Sequence, residues 1–203
     1  MGSTTGTRSL TVRTGEIMGE RDDAAAFWLG YNVGYLCFMP TFVDARRLSE
    51  ELFYMLENMR RLGLESSDVF SEAMGLASRI GSVSGPLPGD LASEVSSLAF
   101  SWRSKLAEIV GNRGAFWLGY NVVYISTQLR RTAAGILLRE LHFLTENLKA
   151  SGLASGILLE DIARVQRRIQ QVGGNSLLDE ETAKILEEAC GRWKAEILRR
   201  LRV

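Results

Sequence analysis

A ten-residue segment occurs twice in this chain, eighty-nine positions apart. Ala26–Tyr35 reads AFWLGYNVGY and Ala115–Tyr124 reads AFWLGYNVVY, identical at nine of ten positions. Self-similarity of this kind marks an internal duplication, in which each unit must bury its apolar face against another. The register persists beyond the segment. Glu51, Leu52, Glu57, Asn58, Gly63 and Leu64 match Glu140, Leu141, Glu146, Asn147, Gly152 and Leu153. Repeat 1 is assigned to residues 22–110 and repeat 2 to 112–203, packed as one compact domain. Residues 1–21, rich in Gly, Ser and Thr, are expected to form a mobile arm with a short extended piece at Leu10–Val12.

Laid on a helix, the repeated segment has no polar face wide enough to meet water. Residues four apart share a side, so Ala26, Gly30 and Gly34 form one stripe and Phe27, Tyr31 and Tyr35 another. Trp28, Asn32 and Leu36 make a third, Leu29, Val33 and Cys37 a fourth, and none carries a charge. A helix apolar on every side is buried on every side. Glycine in a helix interior costs about 1 kcal/mol relative to alanine, yet Gly30 and Gly119 recur at one place in both copies. Close approach of two backbones explains them.

Asn32 and Asn121 then need partners inside the protein. They are expected to bond each other across a pseudo-twofold axis, or to cap a carbonyl, fixing register as a buried asparagine does in coiled coils. Gly30, Tyr31, Asn32, Tyr35, Gly119, Tyr120, Asn121 and Tyr124 form this expected seam. The functional alternative makes their amides and phenols the lining of a ligand pocket between the repeats.

The remaining pattern is helical throughout. A long stretch after each segment ends in a glycine cap at Gly63 or Gly152. Pro40 should kink or split the first stretch. Leu129 stands at that place in repeat 2, which predicts an unbroken helix from Gly114 to Ala150 with a bend near Gly135. Val69, Ala73, Leu76 and Ile80 match Leu158, Ile162, Val165 and Ile169 in a one-faced helix. A third helix carries Trp102 in repeat 1 and Trp193 in repeat 2, now ninety-one positions apart. The fold class read from these patterns is all-α: an internally duplicated bundle of two tandem three-helix repeats related by a pseudo-twofold axis.

Charge narrows function less than it narrows the fold. The net charge is zero, but residues 1–111 carry 10 basic and 14 acidic side chains and residues 112–203 carry 14 and 10. Halves of opposite sign are suited to attraction within one molecule or to head-to-tail contact between molecules. Ala24–Val43 is uncharged for twenty residues, yet it contains Asn32, two glycines and Pro40, and its copy reaches Arg130 after sixteen. A buried helix accounts for both copies, so no membrane partner is expected. Cys37 and Cys190 lie far apart in apolar helical patterns. Buried free thiols and a cytoplasmic location are expected.

No phosphate-binding glycine loop, nucleophile elbow or dinucleotide fingerprint occurs. The one histidine, His142, aligns with Phe53 and is expected to be packed. Glu51/Glu140 and Glu57/Glu146 lack the Glu-x-x-His partner of a di-metal bundle and are read as solvated or salt-bridged. No metal, cofactor or catalytic residue is assigned. The leading expectation is a non-enzymatic structural or adaptor protein that binds a protein partner or itself. The alternative is a nucleic-acid-associated protein contacting phosphates through Arg164, Arg167, Arg168, Arg199, Arg200 and Arg202. A small-molecule-binding bundle comes third.

Overall fold

The computed structural model describes residues 22–202. The N-terminal arm and its extended piece at Leu10–Val12 lie outside the described residues. Eight helices run in chain order: α1 Asp23–Phe38, α2 Ala45–Arg61, α3 Asp68–Gly81, α4 Gly89–Ile109, α5 Arg113–Gln128, α6 Ala134–Ala150, α7 Gly156–Gln170 and α8 Glu180–Leu201. The described residues form no strand. The all-α bundle stands, with four helices in each half instead of three.

The fourth helix arises because the expected unbroken run from Gly114 to Ala150 stops at Gln128 and resumes at Ala134. No proline does this. Ser126 and Thr127 turn their hydroxyls onto the Val123 carbonyl at 3.1 and 2.7 Å, competing with the helical ladder. The first amides of α6 then find acceptors in the α7–α8 loop, Ala134 N–H to Ser176 O and Gly135 N–H to Gly174 O, both 2.8 Å. In the first half Ala45 N–H bonds Gly85 O at the same distance. The predicted bend at Gly135 is therefore a complete break. A Cβ there would lie 2.9 Å from the Gly174 carbonyl oxygen.

The two repeated segments are α1 and α5, and their mutual contact is the most extensive between any two helices. Ten residues of α1 are buried, but not on every side as expected: Trp28, Tyr31, Tyr35 and Phe38 share one face that is only half-buried. A Cβ added to Gly30 would fall 1.9 Å from the Phe116 carbonyl oxygen, and one added to Gly119 would fall 1.9 Å from that of Phe27. Phe27 and Phe116 are themselves equivalent positions, so the approach is reciprocal. Gly30 and Gly119 lie where the backbones of the two central helices come closest to a would-be Cβ.

Around this pair, α2 packs on α1 and α6 on α5; α3 lies on α2 and α7 on α6. Helix α4 covers α1 and α8 covers α5, and each also touches the opposite central helix. A single cluster of buried apolar residues draws on all eight helices. Gly63 and Gly152 end α2 and α6 at φ +69° and +68°, where L side chains are strained. Leu64 and Leu153 follow, donating to Met59 O and Leu148 O, which closes a Schellman turn in each copy.

The indoles recur too. Trp102 Nε1 donates to Glu72 at 2.6 Å and Trp193 Nε1 to Asp161 at 2.8 Å, tying α4 to α3 and α8 to α7. Cys37 and Cys190 are free and buried. Burial pushes both thiols up to about 12, so neither is a thiolate at neutral pH. His142 is a correction. It lies exposed on α6, because the buried stripe Leu137, Leu141, Leu144 and Leu148 leaves it one residue off the inward side. No described helix is long and apolar enough to cross a membrane.

Candidate functional site

Two clefts and one groove gather the polar chemistry of the molecule. The first cleft, of about 440 Å³, is lined by Trp28, Tyr31 and Asn32 of α1 and by Glu51, Tyr54 and Asn58 of α2. Asn32 Nδ2 donates to Glu51 at 2.7 Å, and Asn58 Nδ2 donates to Asn32 Oδ1 at 3.1 Å and to the Tyr54 carbonyl at 2.8 Å. Asn32, Glu51 and Asn58 are all buried. Arg47, one turn before Glu51, holds its other oxygen and lies 5.4 Å from the Tyr35 ring centroid. The Glu51 carboxylate is thus satisfied on both oxygens, which buried charge requires.

The second cleft, of about 490 Å³, repeats the arrangement with Trp117, Tyr120, Asn121, Glu140, Phe143 and Asn147. Asn147 Nδ2 donates to Asn121 Oδ1 at 2.8 Å, and Asn121 Nδ2 reaches Glu140 at 3.4 Å. Each cleft is flanked by a cation from the opposite half. Lys194 of α8 lies 5.7 Å from the Trp28 ring and 5.1 Å from Tyr31. Arg103 of α4 lies 5.9 Å from Trp117 and 5.4 Å from Tyr120, whose hydroxyl accepts from it at 3.0 Å. Positions 103 and 194 are ninety-one apart, the offset already visible between Trp102 and Trp193.

These contacts correct the expected partnership of the asparagines. Asn32 and Asn121 do not bond each other; each bonds a glutamate and an asparagine of its own half. Tyr31, Asn32, Tyr120, Asn121 and Tyr124 do line clefts, but two of them and not one pocket. Tyr35 lies beneath Arg47. Burial, then the Glu51 charge, pushes the Tyr31 hydroxyl up to about 12. Glu51 is not a solvated glutamate. Glu57 and Glu146 are, each paired one turn on, with Arg60 and Lys149. The duplicated Glu and Asn positions were visible in the sequence; what they touch was not. Among the described residues no group of three or more His, Cys, Asp or Glu side chains is placed to hold a metal.

Glu140 is the weak member of the pair. Burial raises its carboxyl above the usual range, against the charges of Arg139 and Arg103 and the Asn121 bond. A carboxyl raised by folding costs stability once pH climbs past its unfolded value, because the folded state resists ionisation. Glu140→Gln should therefore raise the melting temperature at pH 7, and the gain should vanish as pH falls below the ordinary glutamate range. Thermal melts across that interval check the sign.

The groove lies between α7 and α8, about 870 Å³, and collects Arg164, Arg167, Arg192, Arg199 and Arg200. Four of the six arginines singled out from sequence therefore converge, and Arg192 joins them. Arg168 points elsewhere, to Glu181 at 3.1 Å and Thr182 at 3.2 Å. Arg202, at the α8 C-cap, is exposed and outside the lining. Two carboxylates organise the groove, each shared by two arginines: Asp161 by Arg164 and Arg192, Glu196 by Arg199 and Arg200. Burial pushes Asp161 up, but bonds from Trp193, Arg164 and Arg192 outweigh it and hold the carboxyl below its usual range. Bonds from Arg199 and Arg200 bring Glu196 down to about 2.

Arg167 has no ion-pair partner among the described residues. With Glu160 counted, five cations face three anions. In repeat 1 the equivalent positions are Gly75, Ser78, Ser101, Glu108 and Ile109. The arginines of the groove belong to one copy alone; the other has Lys105 in the place of Glu196, paired with Glu72 at 3.4 Å. Comparison with protein-family models, with curated proteins and with solved structures finds no match to this chain.

Proposed function

We propose that this chain is a non-catalytic binding protein that holds nucleic acid by its phosphates in the α7–α8 groove. The observation carrying this reading is the concentration of five arginines in a groove whose counterpart in the other repeat has none. Packing alone does not call for guanidinium groups there, since the copy packs the same tryptophan against the same helix without them. Two arginines per carboxylate keep the guanidinium planes oriented and leave positive charge over for phosphate. Trp193 is buried beneath the groove, so it offers no face for base stacking, and contact should be with the backbone and independent of sequence.

Fluorescence anisotropy of a labelled 20-base-pair duplex, titrated over a range of salt, tests this. Each phosphate contact contributes about 0.9 to the slope of log affinity against log salt. Replacing Arg164, Arg167 and Arg199 together by alanine should flatten that slope by about 2 to 3. The same change at Arg46 and Arg60 of α2, outside the groove, should leave it alone. Binding that is indifferent to salt, or to the groove triple variant, overturns the proposal.

A second reading, the adaptor, is favoured by apolar rings left beside the clefts. Phe53 and Tyr54 of α2, Phe100 of α4 and Phe143 of α6 are each at least 40% exposed. Together with halves of opposite charge, they suit contact with another protein or a second copy. Light-scattering mass across a dilution series separates the cases. A monomer at every concentration removes self-association, and a mass that rises with concentration supports it.

A further inference from the structure

The two clefts differ at one chemically decisive position. In the first, Arg47 supplies a guanidinium that bonds Glu51 and lies against the Tyr35 ring. The second cleft keeps the glutamate and the tyrosine as Glu140 and Tyr124, but Ile136 stands where Arg47 would be. Glu140 forms no ion pair among the described residues and receives only the long bond from Asn121. Phe38, Trp117, Tyr120, Tyr124 and Phe143 line the same cleft as this carboxylate, and the cleft is open to solvent. A half-buried carboxylate in a cleft lined by aromatic rings is the surrounding that recognises an organic cation.

We propose that the second cleft binds an alkylguanidinium from outside, in the place its twin fills with Arg47. The ligand's planar fork pairs with Glu140 while its carbon chain lies along the exposed Phe143 ring. The first cleft is the template, showing within the same chain what occupies this geometry. Arg103 and Arg139 are the cations facing the cleft, and Glu146 is the other anion, already engaged by Lys149. Arg103 is held by the Tyr120 hydroxyl and the Phe100, Trp117 and Tyr120 rings. Arg139 is exposed and opposes the ligand by charge alone, so Arg139→Ala should tighten binding. Favourable electrostatics then rest on Glu140. The site is separate from the α7–α8 groove and stands whether or not that groove binds nucleic acid.

Two probes distinguish the source of the guanidinium: agmatine for a free small molecule, and the blocked tripeptide acetyl-Gly-Arg-Gly-amide for an arginine side chain of another protein. Calorimetry on the full chain should show one site for at least one of them. Tighter binding of agmatine indicates a small-molecule ligand, and tighter binding of the peptide indicates a protein. Butylamine should bind more weakly than agmatine, having no fork. Ile136→Arg should abolish the site by supplying the missing guanidinium. Position 136 is 38% exposed, so the longer side chain has room. Glu140→Gln should weaken binding by about tenfold or more, the loss of a charge-assisted pair. That comparison holds even if Ile136→Arg misfolds. Arg47→Ala should open a second site and raise the stoichiometry from one to two. Failure of both probes to bind tighter than about 10 mM, or binding unchanged in Ile136→Arg and Glu140→Gln, overturns the proposal.

Discussion

Replacing Gly119 by alanine should lower the melting temperature by roughly 10 °C, equivalent to about 3 kcal/mol in a chain this size. A single methyl group does this because its carbon would stand 1.9 Å from the Phe27 carbonyl oxygen and 2.9 Å from the Tyr31 amide nitrogen. Backbone cannot rotate away as a side chain can, so the two central helices must separate and the core between them loosens. Gly30→Ala should cost as much, through the Phe116 carbonyl. The double variant should cost less than the sum, because one separation relieves both clashes. Gly191→Ala is the control. It is helical and exposed with nothing within 4 Å, and should gain up to about 1 kcal/mol from helix propensity. A Gly119→Ala protein melting within about 2 °C of the parent would mean that close approach is not what the glycine provides.

The second large effect concerns Glu51. Changing it to leucine should cost about 3 kcal/mol in urea unfolding, since the change leaves the buried Asn32 amide without its acceptor and Arg47 with only its exposed, 3.3 Å pair to Glu50. The carboxylate it removes is only 3% exposed and bonded on both oxygens. Glu140→Leu, the same substitution in the copy, should cost about 1 kcal/mol or less. Its bond to Asn121 is 3.4 Å long, it has no ion pair among the described residues, and burial already disfavours its charge. The ratio between the two costs is the informative quantity. Equal costs would show that the Arg47 pairing contributes nothing to the first cleft.

Much of the architecture was legible before any coordinates. Four uncharged stripes placed α1 and α5 at the centre, but the aromatic face of each, Trp28 and Tyr31 or Trp117 and Tyr124, lines a cleft instead of the core. Glycine recurring in a helix interior required a close neighbour, and it has one. Gly63 and Gly152 announced their helix ends because a positive φ costs glycine almost nothing. Other features escaped for definite reasons. The break between α5 and α6 has no proline or glycine signal at Leu129. It depends on carbonyls of the distant α7–α8 loop meeting the first amides of α6. His142 looked packed by analogy with Phe53, but both positions face outward.

The clefts show where sequence stops. Glu51, Asn58, Glu140 and Asn147 could be matched in register, yet whether a matched glutamate meets water or an amide depends on the angle at which α2 crosses α1. Lys194 and Arg103 come from the opposite halves, and no local pattern links them to Trp28 or Trp117. The six arginines named from the sequence lie in two short runs, at 164–168 and 199–202, with nothing local to join them. Only the packing of α7 against α8 decided that Arg164, Arg167, Arg192, Arg199 and Arg200 share a groove while Arg168 faces away.

By itself the sequence determined that the repeated segment is a largely buried helix, because periodicity and the absence of charge are local properties that burial satisfies. Which polar groups meet inside the clefts, and which guanidinium groups converge outside, was decided by the tertiary structure. Hydrogen bonds and ion pairs depend on distances between residues far apart in the chain, and those distances exist only once the helices have packed.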